Sequence, residues 1–182
     1  MSDTTSLSTQ GRTDAGNAVV SRTVNAPPEF VWSVLADGWM YATWVVGASR
    51  IREVDPHWPA TGSRIHHSVG LWPALLDDNT EVLKSDAAGP VRELLLQARA
   101  WPAGEAQVRL LVSSERAHHS TVSIVEDVTA GPGRLIPRPA RQLLIVPRNS
   151  ETLQRLALIA EGRYRESVAG GANSAASALK AR

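Results

Sequence analysis

The chain has 182 residues, 43% of them hydrophobic and 20% charged, a balance that suits one globular domain with a sizeable core. Its 19 Lys and Arg against 18 Asp and Glu leave a net charge of +1, so no single-sign field points to nucleic acid or to a strongly acidic partner. With no cysteine, disulfides, thiolate chemistry and Cys-ligated zinc are excluded. Residues 1–17 hold no apolar signal core, and no later run approaches the ~20 apolar residues that a membrane-spanning helix needs. The expected location is the cytoplasm, without stable membrane insertion.

In chain order, residues 1–17 are expected to form a disordered N-terminal tail, 18–168 a single folded domain and 169–182 a disordered C-terminal tail. Both ends are too small and polar to recover ordering entropy by burial. The β-rich run 18–25 reads as a first strand that stops at Pro27-Pro28. A short helix follows, because proline suits a first helical turn and Phe30, Val31, Val34 and Leu35 recur at helical spacing. It fails at Asp37-Gly38, and Trp39, Tyr41 and Trp44 mark a second short helix or helical turn.

From Val45 the apolar period becomes two, with runs at 45–54, 63–69, 80–85, 91–101, 106–114 and 121–128. Turn-forming residues separate them, the segment 71–79 with its Asp77-Asp78 among them, so antiparallel neighbours are expected. The segment 131–147 carries Pro132, Pro137, Pro139 and Pro147 and reads as a loop with one helical turn at 141–145. Its Arg134, Arg138, Arg141 and Arg148 flank Leu143-Leu144-Ile145. That pattern fits either a lid touching an anionic ligand or a membrane surface, or a solvated loop pinned by its apolar residues. A closing helix, capped by Asn149 or Ser150, presents Leu153, Leu156, Ala157, Ala160 and Tyr164 as one apolar stripe.

Alternation assigns strand faces. Leu94, Leu96, Ala98 and Ala100 form one inward row, and Ala106, Val108, Leu110 and Val112 another, while Trp101 falls on the outer face. The same test turns Ile65, His67 and Val69 inward and Arg64, His66 and Ser68 outward, so His66-His67 diverge and do not form a metal pair. His118-His119 falls in a hairpin turn. On the last strand Glu126 goes inward with Val122, Ile124 and Val128, unless a bulge near Val125 turns it out to solvent. If inward, His67 is a conceivable partner.

Gly131-Pro132-Gly133 is no phosphate loop, since prolines occupy the place where its helix would begin. No GxSxG, HExxH or calcium-loop pattern occurs, and neither cofactor nor metal is expected.

The order strand, two short helices, six-stranded meander and long C-terminal helix resembles the START-like, or SRPBCC, superfamily, and most of all its bacterial polyketide cyclase/dehydratase branch. The stretches that carry it are 26–35 (APPEFVWSVL), 44–47 (WVVG), 58–67 (WPATGSRIHH), Gly131-Pro132 and 148–161 (RNSETLQRLALIAE). The resemblance implies an α+β helix-grip fold, a seven-stranded curved antiparallel sheet wrapped around a long C-terminal helix. It also implies a cavity between them for a small hydrophobic, lipid-like or polyketide-like molecule.

Tyr41, Trp44, Ile65, His67, Leu94, Leu96, Val108, Leu110, Ile124, Leu153 and Leu156 are the expected lining. Three functions stay open. One is ligand binding, one is a polyketide cyclase/dehydratase using His67 and Glu126 as acid and base, and one is a protein-interaction module, in a monomer or homodimer.

Overall fold

The computed structural model describes residues 7–8, 13–14, 16–71, 74–100 and 104–180, with side chains placed for 16–70, 76–99 and 104–171. Trp101 lies outside them. Seven strands make one curved antiparallel sheet: β1 (Asn17–Val24), β2 (Ala48–Val54), β3 (Arg64–Leu71), β4 (Ala74–Asp86), β5 (Val91–Ala100), β6 (Gly104–Arg116) and β7 (His119–Ala130). Their order across the sheet is β1-β7-β6-β5-β4-β3-β2, and the dipeptides Leu7–Ser8 and Thr13–Asp14 pair along β1. Between β1 and β2 come the short helices α1 (Pro28–Leu35) and α2 (Tyr41–Trp44), joined by a 3-10 turn at Gly38–Met40. The long helix α3 (Arg138–Lys180) follows a second 3-10 turn at Pro132–Leu135. Among the described residues no helix is long and apolar enough to cross a membrane.

The helix α1 starts on Pro28, whose missing N–H has no partner in a first turn, and buries Val31, Val34 and Leu35. Its stripe meets that of α3, in which Leu153, Leu156, Ala157 and Ala160 are buried, so the two helices and the concave face of the sheet share one core. Arg163 fixes the pair by donating to the Ser33 carbonyl (2.9 Å) and to Asp37 Oδ2 (2.8 Å). Phe30 packs on Tyr164 with ring centroids 5.1 Å apart. The Tyr164 hydroxyl lies 2.7 Å from His118 Nδ1, so the histidine of the β6–β7 turn is tied to α3.

Two parts of the chain differ from the sequence reading. The segment 71–79 is strand over most of its length, because β3 and β4 pair from Arg64↔Glu81 to Leu71↔Ala74. Asp77, a turn former, is satisfied there by the Ser68 hydroxyl (3.1 Å) and by Arg52 (3.4 Å), and Asp78 and Ser68 are buried rather than solvated. Cross-strand partners override the local preference. The second is the proline-rich segment, which is helical from Arg138 onward rather than a loop. Pro137 precedes this helix and Pro139 sits in its first turn, where neither costs a hydrogen bond. Only Pro147 removes an interior one. Asn149 and Ser150 are therefore interior to α3 and cap nothing, and the helix continues past Val168 to Lys180.

Candidate functional site

The core does not fill the whole concavity. Where α3 passes β5, β6 and β7, a cavity of about 300 Å³ remains. Its floor is Leu96 and Ala98 on β5, Ala106, Val108 and Leu110 on β6, and Ile124 on β7. These are alternate residues, and β5 and β6 pair Leu96↔Val108 and Ala98↔Ala106, which keeps both rows on one face. Small Ala98 and Ala106 opposite each other leave the room.

One end is closed by α2 and the turn after it. Gly38 allows this approach, since a Cβ there would lie 2.6 Å from Val54 Cγ1. The turn places Tyr41 and Trp44 edge to face, 5.3 Å between centroids, both buried in the wall, with Val45, Val46 and Ala48 beyond. Thr152 of α3 accepts the Val46 N–H at 3.2 Å and holds turn and helix together. Trp39, expected beside them, points away and is 62% exposed.

Two polar groups interrupt the apolar lining. On β3 and β4, His67 Nε2 lies 2.9 Å from Thr80 Oγ1, and the Tyr41 hydroxyl lies 3.3 Å from the same oxygen. Ile65 faces Thr80 across the pair and is buried with it, so the polar row belongs to the inner face. Burial lowers the His67 pKa to about 4, the Ser68 backbone opposes the shift, and the charges of Arg52 and His66 add to it. The ring is neutral at pH 7. Burial also raises the Tyr41 hydroxyl, which stays protonated despite the lowering hydrogen bond from Thr80.

The second group is Glu126 on β7, paired with Arg148 on α3. Register runs unbroken from Leu110↔Ile124 through Val108↔Glu126 to Ala106↔Val128, so no bulge turns Glu126 out. Its side chain is 7% exposed, that of Arg148 41%, and Arg148 also donates to Asn149 Oδ1 (3.3 Å). His67 is not its partner: β6, β5 and β4 separate the two strands.

Of the expected lining, Tyr41, Trp44, His67, Leu96, Val108, Leu110 and Ile124 face the cavity. Ile65, Leu94, Leu153 and Leu156 do not; they fill the core at the other end, where α1 and α3 press on the sheet. Alternation tells inside from outside, but not where along a strand the interior is empty. Thr80, Arg148, Asn149 and Thr152 were missed. Thr80 was legible by counting back from Val82 at period two, and Arg148 from the demand of an inward carboxylate for a cation.

His67 sets a pH dependence. Its folded pKa, about 4, lies below the 6.5 of an exposed histidine, so the unfolded chain binds the proton first. The contribution is whole above pH 6.5 and is lost as pH falls through 4, on the order of 3 kcal/mol in all. His67→Asn should flatten this part of the stability profile in urea unfolding between pH 7 and 4. The raised Asp78, shifted by its burial, acts in the opposite direction and is common to both proteins.

Solved structures share this fold. An aromatase/cyclase from a Streptomyces species superposes with TM-score 0.59 at 18% identity, covering 81% of this chain and 94% of its own. The helix-grip fold is this chain's fold. Ara h 8.0201 gives TM-score 0.57 at 14% identity over 81% of this chain and 96% of its own. A hypothetical protein from Helicobacter pylori gives 0.60 at 12%, over 88% and 99%. No protein-family model and no curated protein matches the chain. Identities this low speak for the helix-grip fold alone, so the function must be argued from the cavity.

Proposed function

We propose that the protein binds a small, largely apolar molecule carrying hydrogen-bonding oxygen, held between the sheet and α3. The observation that carries this is the cavity itself: an apolar floor of Leu96, Val108, Leu110 and Ile124 with polar groups converging from two sides. Trp44 Nε1 and Asn149 Nδ2, both on lining residues, are buried and make no hydrogen bond among the described residues. An unsatisfied buried donor is costly, and a ligand carbonyl or hydroxyl would satisfy it. Lipid-like and polyketide-like molecules both have this character.

The test is to fill the space. Ala106→Phe places a ring between the β5 and β6 rows and should weaken an environment-sensitive apolar fluorophore by on the order of tenfold or more, at near-unchanged melting temperature. Equal binding by wild type and variant would remove the cavity from the account.

A second reading, cyclization or dehydration of a polyketide-like substrate, draws on the Tyr41–Thr80–His67 row, through which a proton has a continuous path. A histidine near pKa 4 is a weak base at pH 7, which favours binding over acid–base chemistry until a substrate changes its surroundings. Under this reading His67→Asn ends turnover while leaving fluorophore binding in place, with Glu126 as the second proton-transfer group. A cytoplasmic location and a monomeric or dimeric state complete the proposal.

A further inference from the structure

The first turns of α3 are inverted. Asn149, Gln142, Ile145 and Val146 lie on the side toward the protein, whereas Pro139, Ala140, Leu143, Leu144 and Pro147 make up the outer side and all are exposed. Leu143 is 77% exposed and Leu144 75%, and Leu135 in the preceding turn is 86% exposed. After Glu151 the same helix buries Leu153 and Leu156 and exposes Glu151, Gln154 and Arg155, with Leu158 and Val168 as single exposed apolar residues rather than a leucine pair. An outward apolar face on one part of a helix that is conventionally amphipathic elsewhere needs a partner.

Charge says which. Arg134, Arg138, Arg141 and Arg148 lie in this segment, and no Asp or Glu occurs between Asp127 and Glu151, although the whole chain is nearly neutral. Arg148 is engaged with Glu126, whereas Arg134 and Arg138 are exposed. Asp127 of β7 is the acid beside Arg134, Arg138 and Arg141, which leaves these arginines in excess. Outward leucines bordered by such an excess suit a surface that is negative outside and apolar beneath.

We propose that residues 134–147 dock the protein on the surface of an anionic phospholipid bilayer, with Leu143 and Leu144 entering the headgroup layer and Arg134 and Arg138 on the phosphates. The docked segment leads directly into Arg148, Asn149 and Thr152 of the cavity wall. The inference rests on this face alone and holds whatever the cavity binds.

Vesicle co-sedimentation of the full chain tests it, with phosphatidylcholine alone against phosphatidylcholine mixed with phosphatidylglycerol. The protein should pellet with the mixed vesicles, and binding should fall by on the order of tenfold for Leu143→Ser/Leu144→Ser and similarly for Arg134→Gln/Arg138→Gln or on raising salt. All four positions are exposed, so both variants should fold, which circular dichroism melting checks. Absence of pelleting overturns the proposal, as does pelleting that both variants retain. Concentration-dependent self-association abolished by the leucine variant, without vesicle binding, assigns the face to a second copy and overturns it too.

Discussion

Arg148→Met is expected to destabilise the protein by about 2–4 kcal/mol at pH 7, far more than Glu126→Gln, which should cost about 1 kcal/mol. The asymmetry follows from where each partner sits. Glu126 projects from β7 into the cavity wall with its side chain 7% exposed, and Arg148 is the cation paired with it. Removing the guanidinium leaves a carboxylate in an apolar surround, a full desolvation penalty without its compensation. Glu126→Gln removes the charge and keeps a polar group that Arg148, 41% exposed, can meet or leave for water. Urea unfolding of both single variants and the double variant closes the cycle. The double variant should be more stable than Arg148→Met alone, its cost falling short of the sum of the two single costs by about 1–3 kcal/mol. Equal costs for the two single changes would mean that the pair is a solvated surface contact.

The second large effect separates the filled from the empty part of the interior. Leu156→Ala should cost about 3–4 kcal/mol, because Leu156 is wholly buried on α3 in the packed core and its removal opens a new void. Val108→Ala should cost about 1 kcal/mol, because Val108 already borders the cavity, is only partly buried, and gives its volume to space that exists. Apolar fluorophore binding should survive Val108→Ala with the stability change measured in the same preparation. A cost for Val108→Ala as large as that for Leu156→Ala would show the cavity to be closed in solution.

These two expectations, the Arg148–Glu126 pair above all, mark where local pattern stops. Period-two alternation turned His67 inward and left Glu126 open to a bulge near Val125; in the structure both are buried, since a strand offers its side chains only two directions and the apolar neighbours choose between them. It also offered the two as partners. Their strands lie four positions apart in the sheet, a distance fixed by pairing order and not by anything near either residue. Arg148 was counted with a proline-rich loop because four prolines were weighed as helix breakers, when two of them stand at the one end of a helix that tolerates them. Asp77 and Asp78 read as a turn for the same reason, their strand partners Ser68 and His67 being distant in sequence.

The sequence by itself determined the alternating strands, the two short helices and the apolar stripe of α3, because each depends on spacing within a dozen residues, while the helix-grip fold came from the resemblance of their order and motifs to a known superfamily. Only the tertiary structure decided which end of the concavity stays empty, that Thr80 joins His67 to Tyr41, that Arg148 holds Glu126, and that Leu143 and Leu144 face outward. Each of these is set by the curvature of the sheet and the path of one helix across it, and so by contacts between residues that the chain order keeps far apart.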